Sequence, residues 1–161
     1  MSLLEVIFKR RSIRRYRSGQ IPDDVLKNIL EAGRLAPSAD NAQPWHFVVV
    51  TEPKIKEKLS TGIWNRFITD SAVTIVGCGY TDNEWSTIDV TIALENMVIA
   101  AETQGIGSCW IGDFKEEEVK ELLGIPENLK VVALVSFGYP AEKPSPPRKK
   151  SLETIVHYNK F

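Results

Sequence analysis

Cysteine is scarce in this chain of 161 residues, which holds only Cys78 and Cys109. Two isolated cysteines exclude a disulfide framework and a Cys-x-x-Cys metal or redox motif, and both are expected to pack as small apolar side chains. Histidine is as sparse: His46 and His157 lie far apart, without His-x-x-x-His or Cys/His spacing, so no metal site is expected. Long apolar runs are missing too. The richest, Ile88 to Ala101, contains Asp89, Glu95 and Asn96, which argues against a membrane span. Residues 3–8 are apolar, but they follow no basic region and run into arginines, so no signal peptide is read and a cytoplasmic location is expected. Ten glycines and nine prolines, with 43% apolar and 25% charged residues, exclude collagen-like repetition and disorder and point to one globular domain over residues 1–161.

Familiar catalytic motifs are missing as well. Gly77-Cys78-Gly79 and Gly105-Ile106-Gly107 lack the third glycine of a dinucleotide fingerprint, and there is neither a phosphate loop ending in Gly-Lys-Ser/Thr nor a Gly-x-Ser-x-Gly nucleophile elbow. What is present is a charge asymmetry hidden under a net charge of −1. Residues 1–17 carry Lys9, Arg10, Arg11, Arg14, Arg15 and Arg17 against Glu5 alone, and the remaining body is acidic. Such a segment suits nucleic acid, a membrane surface or one anionic small molecule.

The elements follow from local signals. Ser2 and Glu5 form a capping box opening a helix from about 2 to 10, whose end delivers Arg10 into an irregular stretch, 11–20. Pro22, Asp23 and Asp24 open a second helix with an apolar stripe that Pro37 stops. A polar loop between Pro37 and Pro44 leads to a strand over 46–51, a helix over Pro53–Leu59, a short helix over Trp64–Thr69 and a strand over Ala72–Tyr80. The segment from Thr87 to Gln104 reads as a helix apolar almost all round, stopped by Gly105, and a second subunit is expected to cover part of it. A third strand spans Ser108–Ile111, a helix capped from Asp113 runs to Leu123 before Gly124, and a fourth strand spans Val131–Phe137. Four prolines between 140 and 147 make an extended arm, and the apolar tail Leu152–Phe161 is expected to dock on a folded surface.

Arg10, Arg11, Ser12 and Arg14 fall just after a helix, where guanidinium forks and a hydroxyl can converge on one dianion, and Arg148 in the stiffened arm can approach from the other end of the sequence. A phosphate held but not cleaved is the mark of a bound cofactor.

Four ordered blocks carry a resemblance: Arg10-Arg11-Ser12-Ile13-Arg14-Arg15-Tyr16; Ala36-Pro37-Ser38-Ala39-Asp40-Asn41-Ala42-Gln43-Pro44-Trp45-His46-Phe47; Gly105-Ile106-Gly107-Ser108-Cys109-Trp110-Ile111-Gly112; and Pro147-Arg148-Lys149. Together they resemble the nitroreductase-like family of FMN-dependent oxidoreductases. The resemblance implies an α+β fold with a central mixed sheet flanked by helices, an intertwined homodimer with FMN at its interface, and an arm over about 140–161 reaching the partner. It implies hydride transfer from NADH or NADPH through FMN to a small electron-poor acceptor such as a nitroaromatic or quinone. No catalytic side chain is implied, the chemistry lying on flavin N5. By carry-over Arg10, Arg11, Ser12 and Arg14 hold the phosphate, ribityl or pyrimidine end, with Arg148 at the phosphate. Pro37, Ser38 and Asn41 reach the FMN bound chiefly by the other subunit, and Ile111 and Gly112 lie against the ring with a backbone N–H near N5. Many longer relatives carry an acid where Ile111 stands and have inserted helices that this chain lacks.

Other readings stand beside this one. Arg11, Arg15 and Arg17 also suit a solvated surface, Ser38 and Asn41 a turn between prolines, Trp45 and Trp110 ordinary packing, and Asp89 and Glu95 buried hydrogen bonds at the subunit interface. A flavin-binding sensor or carrier without NAD(P)H turnover is the alternative function, a relative that fragments its flavin or removes halide is a further one, and a nucleic-acid arm over residues 9–17 is a third.

Overall fold

The computed structural model describes residues 2–161. Ser2 caps α1 (Leu3–Lys9) through the expected box: its N–H donates to Glu5 Oε2 at 2.8 Å, and Glu5 N–H donates back to Ser2 Oγ at 3.3 Å. Residues 11–20 are not wholly irregular, because Tyr16–Arg17 form a two-residue strand, β1. The helix opened by Pro22 is α2 (Asp23–Arg34), and strand β2 (Trp45–Val50) follows the inter-proline loop. Helix α3 (Pro53–Leu59) keeps the bounds expected of it. The helix expected over Trp64–Thr69 shrinks to a 3-10 turn, Arg66–Ile68, leaving Trp64 outside it. Strand β3 (Val73–Tyr80), the long helix α4 (Ser86–Thr103), strand β4 (Gly107–Ile111), helix α5 (Glu116–Leu123), strand β5 (Leu129–Pro140) and a last turn α6 (Leu152–Ile155) complete the order.

Asp113 does not cap α5. Its carboxylate accepts from Trp64 N–H at 2.7 Å, and Lys115 stands at the cap position with no side-chain cap bond. Gly105 and Gly124, at φ +75 and +66, adopt the left-handed conformation that ends α4 and α5.

The ladders β2–β3, β3–β5, β4–β5 and β1–β5 are all antiparallel. The mixed character expected of the sheet rests on one isolated parallel bridge between Ser12 and Ser108, since the segment leaving α1 meets β4 at a single point. β5 is the centre, with β3 along one side, β4 along the other, and β1 at its C-terminal end. A register shift opposite Gly77 and Cys78 places an extra residue, Val132, in β5. It lets Val131 and Leu134 face one side while Ala133, Val135 and Phe137 face the other.

The sheet therefore carries two cores. One packs β3 and β5 side chains against Ile29 of α2 and Val90, Leu94, Met97 and Val98 of α4. The other packs the opposite face against Leu59 of α3 and Val119 of α5. Each fully buried large aliphatic or aromatic side chain stabilises the fold by about 1.5–3 kcal/mol relative to exposure, and Phe137, Ile75, Leu94 and Leu134 are all fully enclosed.

Two apolar surfaces find no cover within the chain. Leu3, Leu4, Ile7 and Phe8 of α1 are exposed, and so is every residue from 151 to 161, including Leu152, Ile155, Tyr158 and Phe161. Among the described residues, the tail expected to dock on a folded surface thus finds none within its own chain. No helix is long and apolar enough among the described residues to cross a membrane.

Candidate active site

The arginine segment is fixed in place by its backbone. Arg10 N–H closes α1 on Val6 O at 2.8 Å, and Arg11 Nη1 donates to the carbonyls of Phe8 and Arg10, both at 2.8 Å. Ile13 N–H donates to Ser108 O at 2.9 Å, tying the segment to β4. Glu142 Oε1 accepts from Arg14 N–H at 2.6 Å and Arg15 N–H at 3.1 Å, tying it to the arm. With the backbone thus held, Arg10, Arg11, Ser12 and Arg14 line one wall of a cleft of about 540 Å³, and Pro144 to Pro147 with Lys149 line the other. Among the described residues no carboxylate lines it, so the cleft is electropositive and suited to an anion. Glu102 of α4 lines an adjoining cleft that shares Arg11, Pro144 and Pro146 with it; burial pushes its carboxyl above the ordinary range, and the charges of Arg10 and Arg11 oppose that shift.

Arg14 also lines a second cleft, of about 520 Å³, with Trp64, Phe67, Trp110, Ile111, Gly112 and Asp113. The two clefts meet at this one residue. Strand alternation shapes the second: because Ser108 O faces Ile13, away from β5, the backbone of Trp110 also points to that open edge. An ideal Cβ built on Gly112 meets no atom within 4 Å, so the strand's exit presents bare backbone. The opposite wall is the 62–65 turn, tied down by Trp64 N–H on Asp113 and by Asn65 Nδ2, which donates to Asp113 O at 2.6 Å and Leu59 O at 3.1 Å. Asn65 Oδ1 is buried and has no partner among the described residues. The Trp64 side chain is 78% exposed.

Cys109 lies under the arginine wall, where burial pushes its thiol up while Arg14, a hydrogen bond with Ser12, and Arg10 act against the shift. Beside it, Tyr16 and Ser136 share a buried hydroxyl–hydroxyl bond of 2.8 Å, and burial drives the Tyr16 phenol well above its ordinary pKa.

The family model of the nitroreductase family matches residues 7–74 and 60–139, which together span most of the chain. The chain belongs to the nitroreductase family. It is 41% identical over 151 residues to a protein of Archaeoglobus fulgidus provisionally named NADH dehydrogenase/NAD(P)H nitroreductase, covering 87% of this chain and 86% of that one. Among solved structures, the NADPH:FMN oxidoreductase of Vibrio harveyi complexed with NAD+ superposes with a TM-score of 0.93 at 26% identity, over 99% of this chain and 77% of that chain. An FMN-dependent nitroreductase of Clostridium difficile superposes with a TM-score of 0.88 at 26% identity, over 98% of this chain and 99% of that chain.

In this nitroreductase-family chain, the residues singled out by sequence divide into two groups. Arg10, Arg11, Ser12, Arg14, Ile111 and Gly112 come together around the joined clefts, whereas Arg148 does not line the first cleft although Pro147 and Lys149 on either side of it do. Pro37, Ser38 and Asn41 line neither cleft. They sit on a loop strained by three non-glycine residues at positive φ, Asp40, Asn41 and Gln43. Such strain persists only where the surroundings over-determine it. Here Ser38 Oγ accepts from Gln43 N–H at 3.0 Å, Gln43 Nε2 donates to Asn41 O at 3.1 Å, and the buried Asp89 of α4 accepts from Ala39 N–H at 3.3 Å. Asp89 therefore finds its hydrogen bond inside the chain. Glu95 does so too, accepting from Trp110 Nε1 at 2.9 Å.

Sequence reading missed Trp64, Asn65, Phe67 and Asp113. Nothing local marks them, because the 62–65 turn meets Asp113, just past the end of β4, through bonds spanning 48 and 49 residues. Lys149, next to Arg148 in the same basic run, lines the first cleft where Arg148 does not.

Proposed function

We propose that the protein is an FMN-dependent oxidoreductase that takes reducing equivalents from NADH or NADPH and delivers them to a small electron-poor acceptor such as a nitroaromatic or a quinone. The observation that carries this reading is the junction at Arg14 of two clefts, one basic and one walled by aromatic side chains and bare backbone. A ligand with a phosphate at one end and a flat ring at the other matches both. The nitroreductase-family relatives named for FMN and NAD(P)H support the same assignment.

The residues present fit FMN. Arg10, Arg11, Ser12, Arg14 and Lys149 supply donors for a phosphate and its linker. Open space over Gly112 admits a ring between Trp64, Phe67 and the exit of β4. Bound there, FMN would supply hydride-transfer chemistry between the nicotinamide and the acceptor. Within that scheme the chain would orient the ring along the β4 edge, and the Arg14 guanidinium between the clefts would stabilise negative charge developing on it.

The functional unit is a homodimer. Its support is the apolar α1 face and the apolar tail, both left open by a single chain, and a stable soluble fold seldom leaves so much apolar surface uncovered. The arm over about 140–161 reaches the partner, and the strained loop carrying Pro37, Ser38 and Asn41, turned away from its own chain's clefts, contributes to the partner's FMN site.

Titration of the apoprotein with FMN, followed by quenching of flavin fluorescence, tests the reading. One FMN per chain is expected, with affinity falling in the Arg10→Gln and Arg14→Gln variants. A protein that takes up no FMN refutes it.

A further inference from the structure

We propose that Glu95 is a positioning residue: from α4 it holds the Trp110 indole, and through that side chain it fixes the edge of β4 along which the flavin ring lies. The proposal rests on the flavoprotein reading given above.

Glu95 is out of place by composition. Its helix is apolar almost all round, with Val90, Ala93, Leu94, Met97 and Val98 enclosed, and a carboxylate half-buried among them is costly unless it is hydrogen-bonded. Its partner is the one donor of an indole. Glu95 Oε2 accepts from Trp110 Nε1 at 2.9 Å, a charge-assisted bond. Trp110 is where such a tether acts on the site. Its side chain packs with the α2/α4 core while Ile111, the next residue, packs with the α3/α5 core. The Trp110 backbone points away from β5 toward the cleft that Trp110 lines.

This stretch of β4 needs holding. Beyond the Ser12–Ser108 bridge, among the described residues, no strand pairs with its open side, so only β5 restrains Trp110 and Ile111 through the sheet. A free edge is the most mobile part of a ladder, and a ring seated on bare backbone requires that backbone in one place. The Glu95–Trp110 bond links the edge to a helix whose own position is set by the main core. It joins a residue of the second cleft to α4, which lines neither cleft.

Five preparations test this: wild type, Glu95→Gln, Glu95→Ala, Trp110→Phe and the Glu95→Ala/Trp110→Phe double variant, each as the full-length protein. Three readouts are followed: near-ultraviolet circular dichroism of the unliganded protein, FMN affinity, and the separate KM and kcat for NAD(P)H oxidation. Glu95→Ala should lose part of the aromatic dichroism and bind FMN about tenfold more weakly, the scale of one charge-assisted hydrogen bond. Glu95→Gln, which keeps an acceptor oxygen but not the charge, should stay within about threefold of wild type. Trp110→Phe should match Glu95→Ala, and the double variant should be no worse than either single one, as expected of two residues acting through one bond. Unchanged FMN affinity in Glu95→Ala overturns the proposal, as does simple additivity in the double variant. Should Glu95→Ala not fold, wild-type affinity in Trp110→Phe overturns it equally. A wild-type protein that binds no FMN refutes the flavoprotein reading instead. In that event a dichroism change in Glu95→Ala, absent from Glu95→Gln, supports the indole tether alone, and no change removes it.

Discussion

Replacing Gly112 with valine should separate folding from flavin binding. The Cβ position at Gly112 is free of neighbours within 4 Å, and its φ lies outside the left-handed range, so a side chain there meets neither clash nor backbone strain. Substituting glycine at a compatible position restricts the unfolded chain and stabilises by about 0.4–1 kcal/mol. For a domain of this size that raises the melting temperature by about 1–4 °C. Under the proposed reading, the same space belongs to the flavin ring. An extra branched side chain at a filled contact costs about 1–3 kcal/mol, or roughly five- to 150-fold in affinity. Thermal melting of the unliganded variant and FMN titration read the two effects separately. Gly77→Val is the control, since a Cβ there would approach Leu94 Cδ1 to 2.7 Å in the core and should lower the melting temperature. The reasoning fails if the Gly112→Val protein binds FMN within twofold of wild type, or if it melts several degrees lower without ligand.

Three further outcomes are expected. Arg10→Gln and Arg14→Gln should each weaken FMN by about ten- to a hundredfold, the loss of one charged donor to phosphate or reduced ring, and added salt should narrow the gap to wild type, as titrations at low and high ionic strength will show. Deleting the chain after Lys150 removes the exposed Leu152, Ile155, Tyr158 and Phe161 and should shift the protein from dimer to monomer in light scattering, with loss of bound FMN; an unchanged dimer contradicts the arm's role. Burial raises the Cys78 thiol from 9.0 to about 11, so the folded state keeps a proton that the unfolded state releases. Stability from this group is therefore complete below pH 9 and is lost as pH rises toward 11, by about 2–3 kcal/mol, and denaturant melts of Cys78→Val should show a shallower alkaline decline.

The fold was legible where a local rule is strong. The capping box of Ser2 and Glu5, Pro53 at the head of α3, and the glycines ending α4 and α5 each set a boundary by chemistry contained within a few residues. Tertiary pairing decided the rest. β5 runs on to Pro140, past its expected end, because β1 pairs with Tyr139 and Pro140. Asp113 is drawn from capping α5 to the backbone of Trp64, a partner that no window around Asp113 contains. The site followed the same division. A cluster of arginines announces an anion by composition, and Gly112 entered with a family resemblance. The aromatic wall of Trp64 and Phe67 and the orphaned Asn65 oxygen exist only once the 62–65 turn lies against β4. The tie between Glu95 and Trp110 belongs to the same class, since fifteen residues and a change of element separate the two.

Anaerobic addition of NADH or NADPH to the FMN-loaded protein, followed at the visible flavin band, tests the central claim most directly. The account predicts rapid bleaching by at least one of the two donors and recovery of the band when a quinone or nitroaromatic is added. A flavin band that neither donor bleaches would contradict it and leave a protein that binds FMN without turning it over.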